Sequence, residues 1–345
     1  MIRGHLMAGR AGGLALLASV GMSPASQAYT FQTLNNPADD VNVLLGINDA
    51  GVIAGTGSAF DAPPSGYAVA PPYTPSSNTP VNYPGSDGTV PTGVNNADVL
   101  VGFFMSGANT YGFSKVGGSY VSVSDPNTPT TGLAFNRLIA LNDHNVAAGF
   151  YLDAAGNAHA YTYDIASKSF TAIMLPASFD ATGSAATGIN NANDISGAYN
   201  GPAGSFGFLE VGGTFYSLSD PNGTNTAALG LNNVGDVIGT YLDKNGVTQG
   251  FVYDWLTNTW QTISDPLASA NPPSCCGSDF TGGTTIYGIN DRRDLVGFFS
   301  DGVTANGFLA TVPEPSTWAM LLLGFAGLGY AACRRSAKNS VTALA

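Results

Sequence analysis

Charge is what this chain has least of. Only 10% of its 345 residues are Asp, Glu, Lys or Arg, and Glu occurs twice, at Glu210 and Glu314. Long helices and coiled coils draw on Glu, Lys and Arg for their exposed faces, so both are excluded. Eleven Lys and Arg stand against 23 Asp and Glu, a formal charge of -12, and no basic cluster lies away from the two ends. A nucleic-acid binder is thereby excluded. Cysteine and histidine are scarce as well, with three of each. In their place are 45 Gly, 20 Pro and 44% apolar residues, a composition suited to short strands joined by tight turns.

The two ends read as addresses rather than as fold. Arg3, His5 and Arg10 precede an apolar run from Ala11 to Val20, and Ser26-Gln27-Ala28 offers the small residues that a signal peptidase accepts. Residues 1–28 are expected to be a cleaved secretory leader, because ten apolar residues fall short of the roughly 20 that span a bilayer. At the other end Pro313-Glu314-Pro315 is followed by an apolar run, Trp318 to Cys333, and then by Arg334-Arg335. A helix over residues 318–333 reaches about 24 Å, a marginal span, and the arginines would stay cytoplasmic.

This second trio resembles a PEP-CTERM sorting signal, with Pro313, Glu314, Pro315, Arg334 and Arg335 as its motif residues, although the tail Ser336 to Ala345 runs on past the arginines. The resemblance implies a Gram-negative bacterium and transient insertion in the inner membrane through residues 318–333. It also implies processing by an exosortase-type protease and release to the cell surface or an exopolysaccharide matrix. A plain C-terminal membrane anchor is the other reading of these residues.

Between the ends, residues 29–312 hold six Lys and Arg against 21 Asp and one Glu, a net charge near -16. Such a domain repels DNA, anionic lipid and acidic polymers unless divalent cations bridge them.

That interior is a repeat. LLGINDAGVIAG, PTGVNNADVLVGF, LIALNDHNVAAGFY, ATGINNANDISGAY, ALGLNNVGDVIGTY and IYGINDRRDLVGFF share an apolar strand ending in Asn, a polar turn, and a second apolar strand ending in Gly. Their anchors are Gly46, Gly93, Ala140, Gly188, Gly230 and Gly288, spaced by 47, 47, 48, 42 and 58 residues. A third strand follows (YGFSKV, GFLEV), then a fourth (SYVSVSD, TFYSLSD), reached through Gly117-Gly118 or Gly212-Gly213, which suit primed hairpin turns. Units three and five turn instead through YDIASKSF and YDWLTNTW. Four antiparallel strands at this period predict an all-β fold, a six-bladed β-propeller of four-stranded blades. The sixth unit runs from GFLATV into the sorting signal without a fourth strand, so Tyr29 to Leu34 is expected to pair with Gly307 to Val312 and close the last blade. The units also resemble the extracellular HAF repeat family, most closely at Gly156-Asn157-Ala158-His159-Ala160-Tyr161, and YDWLTNTW is similar to kelch repeats. Both resemblances imply a propeller.

Candidate chemistry is sparse. Asn48, Asn95, Asn142, Asn190, Asn232 and Asn290 end the first strands. Each can build its own turn, and together they would ring a channel mouth and hold waters or a cation. The Asp-rich turns at Asp153-Ala154-Ala155-Gly156-Asn157 and Asp243-Lys244-Asn245-Gly246 offer oxygens to Ca2+, yet lack the final acidic residue of a calcium loop and read as hairpin turns. No cofactor is expected, with Ca2+ the weak exception. His144 and His159 have no Cys or Glu at zinc-ligand spacing. For Cys275 and Cys276 a vicinal bridge, an intermolecular bridge and free thiols stay open. Two segments break the repeat and could carry binding: the insertion Pro266 to Thr285, and Asp61 to Pro84 with Tyr67, Tyr73 and Tyr83.

The organisation expected is therefore a leader (1–28), a propeller (29–312) and a sorting signal (313–345). The function expected is that of an exported, non-enzymatic surface or biofilm-matrix protein that binds extracellular polysaccharide or a surface protein through its loops. No catalytic residue is assigned, because the first strands carry no carboxylate. The rival is a secreted propeller enzyme, a polysaccharide lyase or glycosidase, which would need Asp residues to converge at a channel mouth, with Asp236 and Asp294 as the carboxylates to test.

Overall fold

The computed structural model describes residues 28–275 and 281–313, apart from Pro37. The leader and the sorting-signal residues from Glu314 onward, including the expected helix over residues 318–333, lie outside these. Among the described residues no helix is long and apolar enough to cross a membrane.

The chain is all-β. A short strand, β1 (Thr30–Thr33), precedes the repeats. Unit one is β2 (Val41–Ile47), β3 (Ile53–Ser58), β4 (Ser65–Val69) and β5 (Asn78–Pro80); unit two is β6 (Gly88–Val94), β7 (Leu100–Ser106), β8 (Asn109–Val116) and β9 (Ser119–Val123). Unit three is β10 (Asn136–Leu141), β11 (Val146–Leu152), β12 (Ala158–Asp164) and β13 (Ser169–Ala172); unit four is β14 (Gly183–Ile189), β15 (Ile195–Gly201), β16 (Gly204–Val211) and β17 (Thr214–Leu218). Unit five is β18 (Thr224–Leu231), β19 (Asp236–Leu242), β20 (Thr248–Asp254) and β21 (Thr259–Ile263), and the sixth is β22 (Thr284–Ile289), β23 (Leu295–Ser300) and β24 (Ala305–Thr311). Each unit is an antiparallel meander, as the turn residues dictate. Gly117, Gly118, Gly212 and Gly213 all take positive φ, as the primed hairpin turn requires.

The expected six separate blades are not what forms. Units two to five are discrete four-stranded sheets, while units one and six are joined in a single eight-stranded sheet, ordered β22-β23-β24-β2-β3-β4-β5 with β1 on β24. Counted as separate four-stranded sheets, the propeller has four blades and not six. The cause lies in how the chain crosses from β1 to β2. β1 adds antiparallel to β24, Thr30 opposite Thr311 and Thr33 opposite Phe308, so the chain must pass the start of β24 to begin unit one. On the way Leu34 N–H donates to Gly307 O (2.8 Å), the Asn35 amide bonds Gly307 and Asn306, and Ala305 N–H donates to Asp40 O (3.2 Å). Val41 and Ala305 then form a parallel bridge that fuses the two units.

The repeat's central glycine has a packing reason. On the second strand it stands directly across from the aromatic residue of the third: Gly55 opposite Tyr67, Gly102 opposite Phe113, Gly149 opposite Tyr161, Gly197 opposite Phe208, Gly239 opposite Phe251 and Gly297 opposite Phe308. The rings lie over the bare backbone; a Cβ at Gly102 would meet the Phe113 ring at 2.9 Å and one at Gly297 the Phe308 ring at 3.0 Å. From unit two to unit six these aromatics are essentially without solvent exposure, and the core lies between neighbouring sheets. Burying one such ring contributes on the order of 3 kcal/mol.

Candidate functional site

The first strand of every unit lines the central channel, and each carries a bulge at the same place. Register slips between Leu44 and Gly46, Pro91 and Gly93, Leu138 and Ala140, Ala186 and Gly188, Ala228 and Gly230, and Ile286 and Gly288. The skipped residues, Leu45, Thr92, Ile139, Thr187, Leu229 and Tyr287, line the channel beside the anchors. Neighbouring inner strands come so close that a Cβ on Gly188 would sit 2.7 Å from Gly230 Cα, and one on Gly288 would sit 3.0 Å from Gly46 Cα. The channel wall is thus mostly apolar and narrow, and the Thr92 and Thr187 hydroxyls donate into it across units, to Leu138 O (2.9 Å) and Ala228 O (2.7 Å).

Past the bulge each strand ends at its Asn, and the structure brings all of these together around one mouth. The turns and the ring arrangement both form, because each amide serves twice. Oδ1 accepts from its own turn, as at Asn95 from Ala97 and Val99 N–H (both 3.0 Å). Nδ2 donates to the carbonyl of the same Asn in the next unit: Asn48 to Asn95 (2.9 Å), Asn95 to Asn142 (3.1 Å), Asn142 to Asn190 (3.0 Å), Asn190 to Asn232 (3.5 Å), Asn232 to Asn290 (3.2 Å) and Asn290 to Asn48 (3.1 Å). The ring closes.

The residues that follow form a second ring, which sequence reasoning missed. Asp49, Asn96, Asp143, Asn191, Asn233 and Asp291 each donate a backbone N–H to the side-chain Oδ1 of the next member at 2.7 to 2.9 Å. Its signal was the uninterrupted run of Asn-Asp or Asn-Asn pairs across the repeats. Asp49, Asp143 and Asp291 converge here, interleaved with amides: Asn96 Nδ2 bridges Asp49 (2.8 Å) and Asp143 (3.0 Å), Asn191 bonds Asp143 (2.8 Å), and Asn233 bonds Asp291 (2.8 Å). Burial works to raise the Asp143 carboxyl, but hydrogen bonds from Asn191 and Asn96 outweigh it and hold it below the ordinary carboxylate range. The mouth is a narrow funnel of about 70 Å³ whose polar groups are spent largely on one another.

Asp236 and Asp294 sit beneath it. Each accepts from its ring Asn at 2.9 Å; Arg293 also reaches Asp236 (2.7 Å) and Arg292 reaches Asp294 (3.0 Å). Asp153 and Asp243 cap their own turns, accepting N–H from Ala155 and Asn157 and from Asn245 and Val247, and His159 bonds Asp153 at 3.0 Å. Among the described residues no three His, Cys, Asp or Glu side chains gather as metal ligands. Cys275 is disulfide-bonded; Cys276 lies outside the described residues. The described part of the insertion covers the turn between β23 and β24, with Cys275 N–H on Val303 O (3.0 Å) and Ser300 Oγ on Asn271 O (2.8 Å). Tyr83 stacks on Phe104 at 3.8 Å between units one and two, so it covers a sheet rather than a ligand. Pro313 is the one sorting-motif residue described; Glu314, Pro315, Arg334 and Arg335 lie beyond.

Comparison with known proteins locates one family match: a PEP-CTERM protein-sorting motif over residues 311–335. No protein of curated function matches the chain. Its backbone is similar to the SapL1 lectin in complex with alpha methyl fucoside, at 11% identity over 81% of this chain and 98% of that one, TM-score 0.48. It is similar to TolB from Acinetobacter baumannii at 9% identity over 78% of this chain and 63% of that one, TM-score 0.49. A prolyl endopeptidase matches at 11% identity and TM-score 0.46 over 72% of this chain, which spans 40% of the endopeptidase. Signals of the matched kind are processed by exosortase, and the chain is accordingly an exported protein, sorted through the inner membrane to the cell surface or extracellular space by a C-terminal motif.

Proposed function

We propose that the exported domain is a non-enzymatic binding module of the cell surface or biofilm matrix, taking saccharide or protein ligands through its loops. The carrying observation is the state of the mouth carboxylates. Asp49, Asp143 and Asp291 converge, as an enzyme would need, but each accepts from ring amides, and Asp143 is held below the ordinary range. General-acid catalysis needs a carboxyl raised toward neutral pH in a cleft. The carboxyls that burial raises, Asp220 and Asp265, cap turns elsewhere, accepting from Asn222 and Leu267 N–H.

The division into leader, propeller and sorting signal, the HAF kinship of the repeats, the membrane helix at residues 318–333 and exosortase as processing partner belong to the same reading. The test assays the purified exported protein against a polysaccharide panel for both turnover and retention. Retention of a glycan or surface protein without turnover supports the module. Turnover abolished by Asp143→Asn overturns it.

A further inference from the structure

The seam between β1 and β2 opens a cavity of about 190 Å³ that the repeat geometry alone does not provide. Its floor is apolar, built by Leu44 and Val69 of one core cluster, against which Leu34, Tyr67 and Tyr73 pack. Its rim is polar but uncharged: the side chains of Gln32, Asn36, Asn78 and two threonines, with no Asp, Glu, Lys or Arg among the lining.

Two features of the tyrosines are not explained by packing. The Tyr67 hydroxyl makes no hydrogen bond within the described residues. Burial, with Asp39 nearby, pushes this phenol above its ordinary value, and at neutral pH it is an O–H donor as any tyrosine is. Tyr73 has φ 58°, the one aromatic in the left-handed region among the described residues, where the other non-glycine occupants are Asp, Asn, Lys and Arg. A bulky residue there costs about 1–3 kcal/mol, and such strain concentrates at ligand clamps. Its ring is pinned in that pose because its hydroxyl donates to Gly51 O at 2.9 Å.

We propose that this seam cavity, walled by Tyr67 and Tyr73, binds a neutral pyranose residue of a saccharide. An apolar floor with two aromatic rings suits the C–H face of a sugar, and a rim of carboxamides and hydroxyls suits its hydroxyl groups. No Lys or Arg lines the cavity to pair with a uronate, and Asp39 stands behind the rim, accepting from the Asn36 amide at 2.7 Å, where it would repel one. The proposal rests on the binding-module reading and gives it a place and a ligand class.

The experiment titrates the purified exported protein with methyl glucoside, methyl galactoside and methyl mannoside, and with glucuronate, by saturation-transfer NMR and calorimetry. At least one neutral pyranoside is expected to bind, with glucuronate about tenfold weaker or more. Tyr67→Phe, which keeps the ring, is expected to weaken binding about three- to tenfold at an unchanged Tm, and Tyr73→Ala by more than tenfold. Should Tyr73→Ala fail to fold, Tyr67→Phe decides. The proposal is overturned if none of the neutral pyranosides binds, or if Tyr67→Phe binds as wild type does. The latter result would leave the broader module reading standing, with its site elsewhere.

Discussion

Asn290 and Asn48 lie 242 residues apart in the chain, yet the Asn290 side-chain amide donates to the Asn48 carbonyl at 3.1 Å. That bond closes the ring begun by Asn48 on Asn95 and welds the last unit to the first. Since each ring Asn also holds its own turn, losing one breaks a local and a long-range contact together.

Asn95→Ala is therefore expected to cost about 2–4 kcal/mol, because two turn N–H groups lose their acceptor and the Asn142 carbonyl keeps only the Asn145 N–H. Asn95→Asp should recover only part of this, since it restores the acceptor and not the donor. Urea unfolding of both variants checks it; equal stability of Asn95→Ala and wild type would remove the ring from the account of stability.

Phe31→Ala should lower stability by about 1–3 kcal/mol. Phe31 packs on the core cluster of the last units, its ring 5.5 Å from that of Phe308. Deleting residues 29–34 strips the whole of β1 from β24 and should cost more than Phe31→Ala. Thermal melts of both decide, and an unchanged Tm in the deletion contradicts the closure.

Gly197→Ala is expected to destabilise by more than about 2 kcal/mol, because a Cβ there meets the Phe208 ring and the Ala185 carbonyl, neither free to retreat. Phe208→Ala empties the same place and should cost about 3–5 kcal/mol. In the double variant the clash has no ring to meet, so the two costs should not add.

Asp220 is 2% exposed, its Oδ2 has no hydrogen-bond partner among the described residues, and burial raises its carboxyl above the ordinary range. A raised carboxyl opposes folding while ionised, and the opposition fades as pH falls through the folded value toward the unfolded one. Asp220→Asn should thus be more stable than wild type at pH 8, and the gap should narrow as acid protonates wild type. Denaturant melts from pH 8 to pH 4 test this, and a gap that widens with acid refutes it.

In a host that carries exosortase, the released protein should end close to Pro313-Glu314-Pro315, and Glu314→Ala should leave the chain membrane-associated. Intact mass of the released and membrane fractions checks this; finding Ala345 on the released form contradicts it.

Much of this was legible in the chain because it is local. An Asn at the end of an apolar strand and the turn residues after it act within a few residues, and six copies average out ambiguity. The pairing of Tyr29 to Leu34 with the last strand was readable by subtraction, as one repeat lacked a strand. What the linear pattern could not carry was contact between units. The second mouth ring has each N–H reaching an oxygen one unit away, 42 to 58 residues along the chain or 242 across the closure. The fusion of units one and six through Val41 and Ala305 depends on the path from β1 to β2 in space. The seam cavity exists because β1 and the loop after β4 meet there, bringing Gln32 near Tyr73. Sequence alone determined the strands, their turns and the address, which follow from neighbouring side chains and backbone dihedrals. Only the tertiary structure decided how the sheets join and which polar groups face an open cavity, since both depend on the closure of the ring.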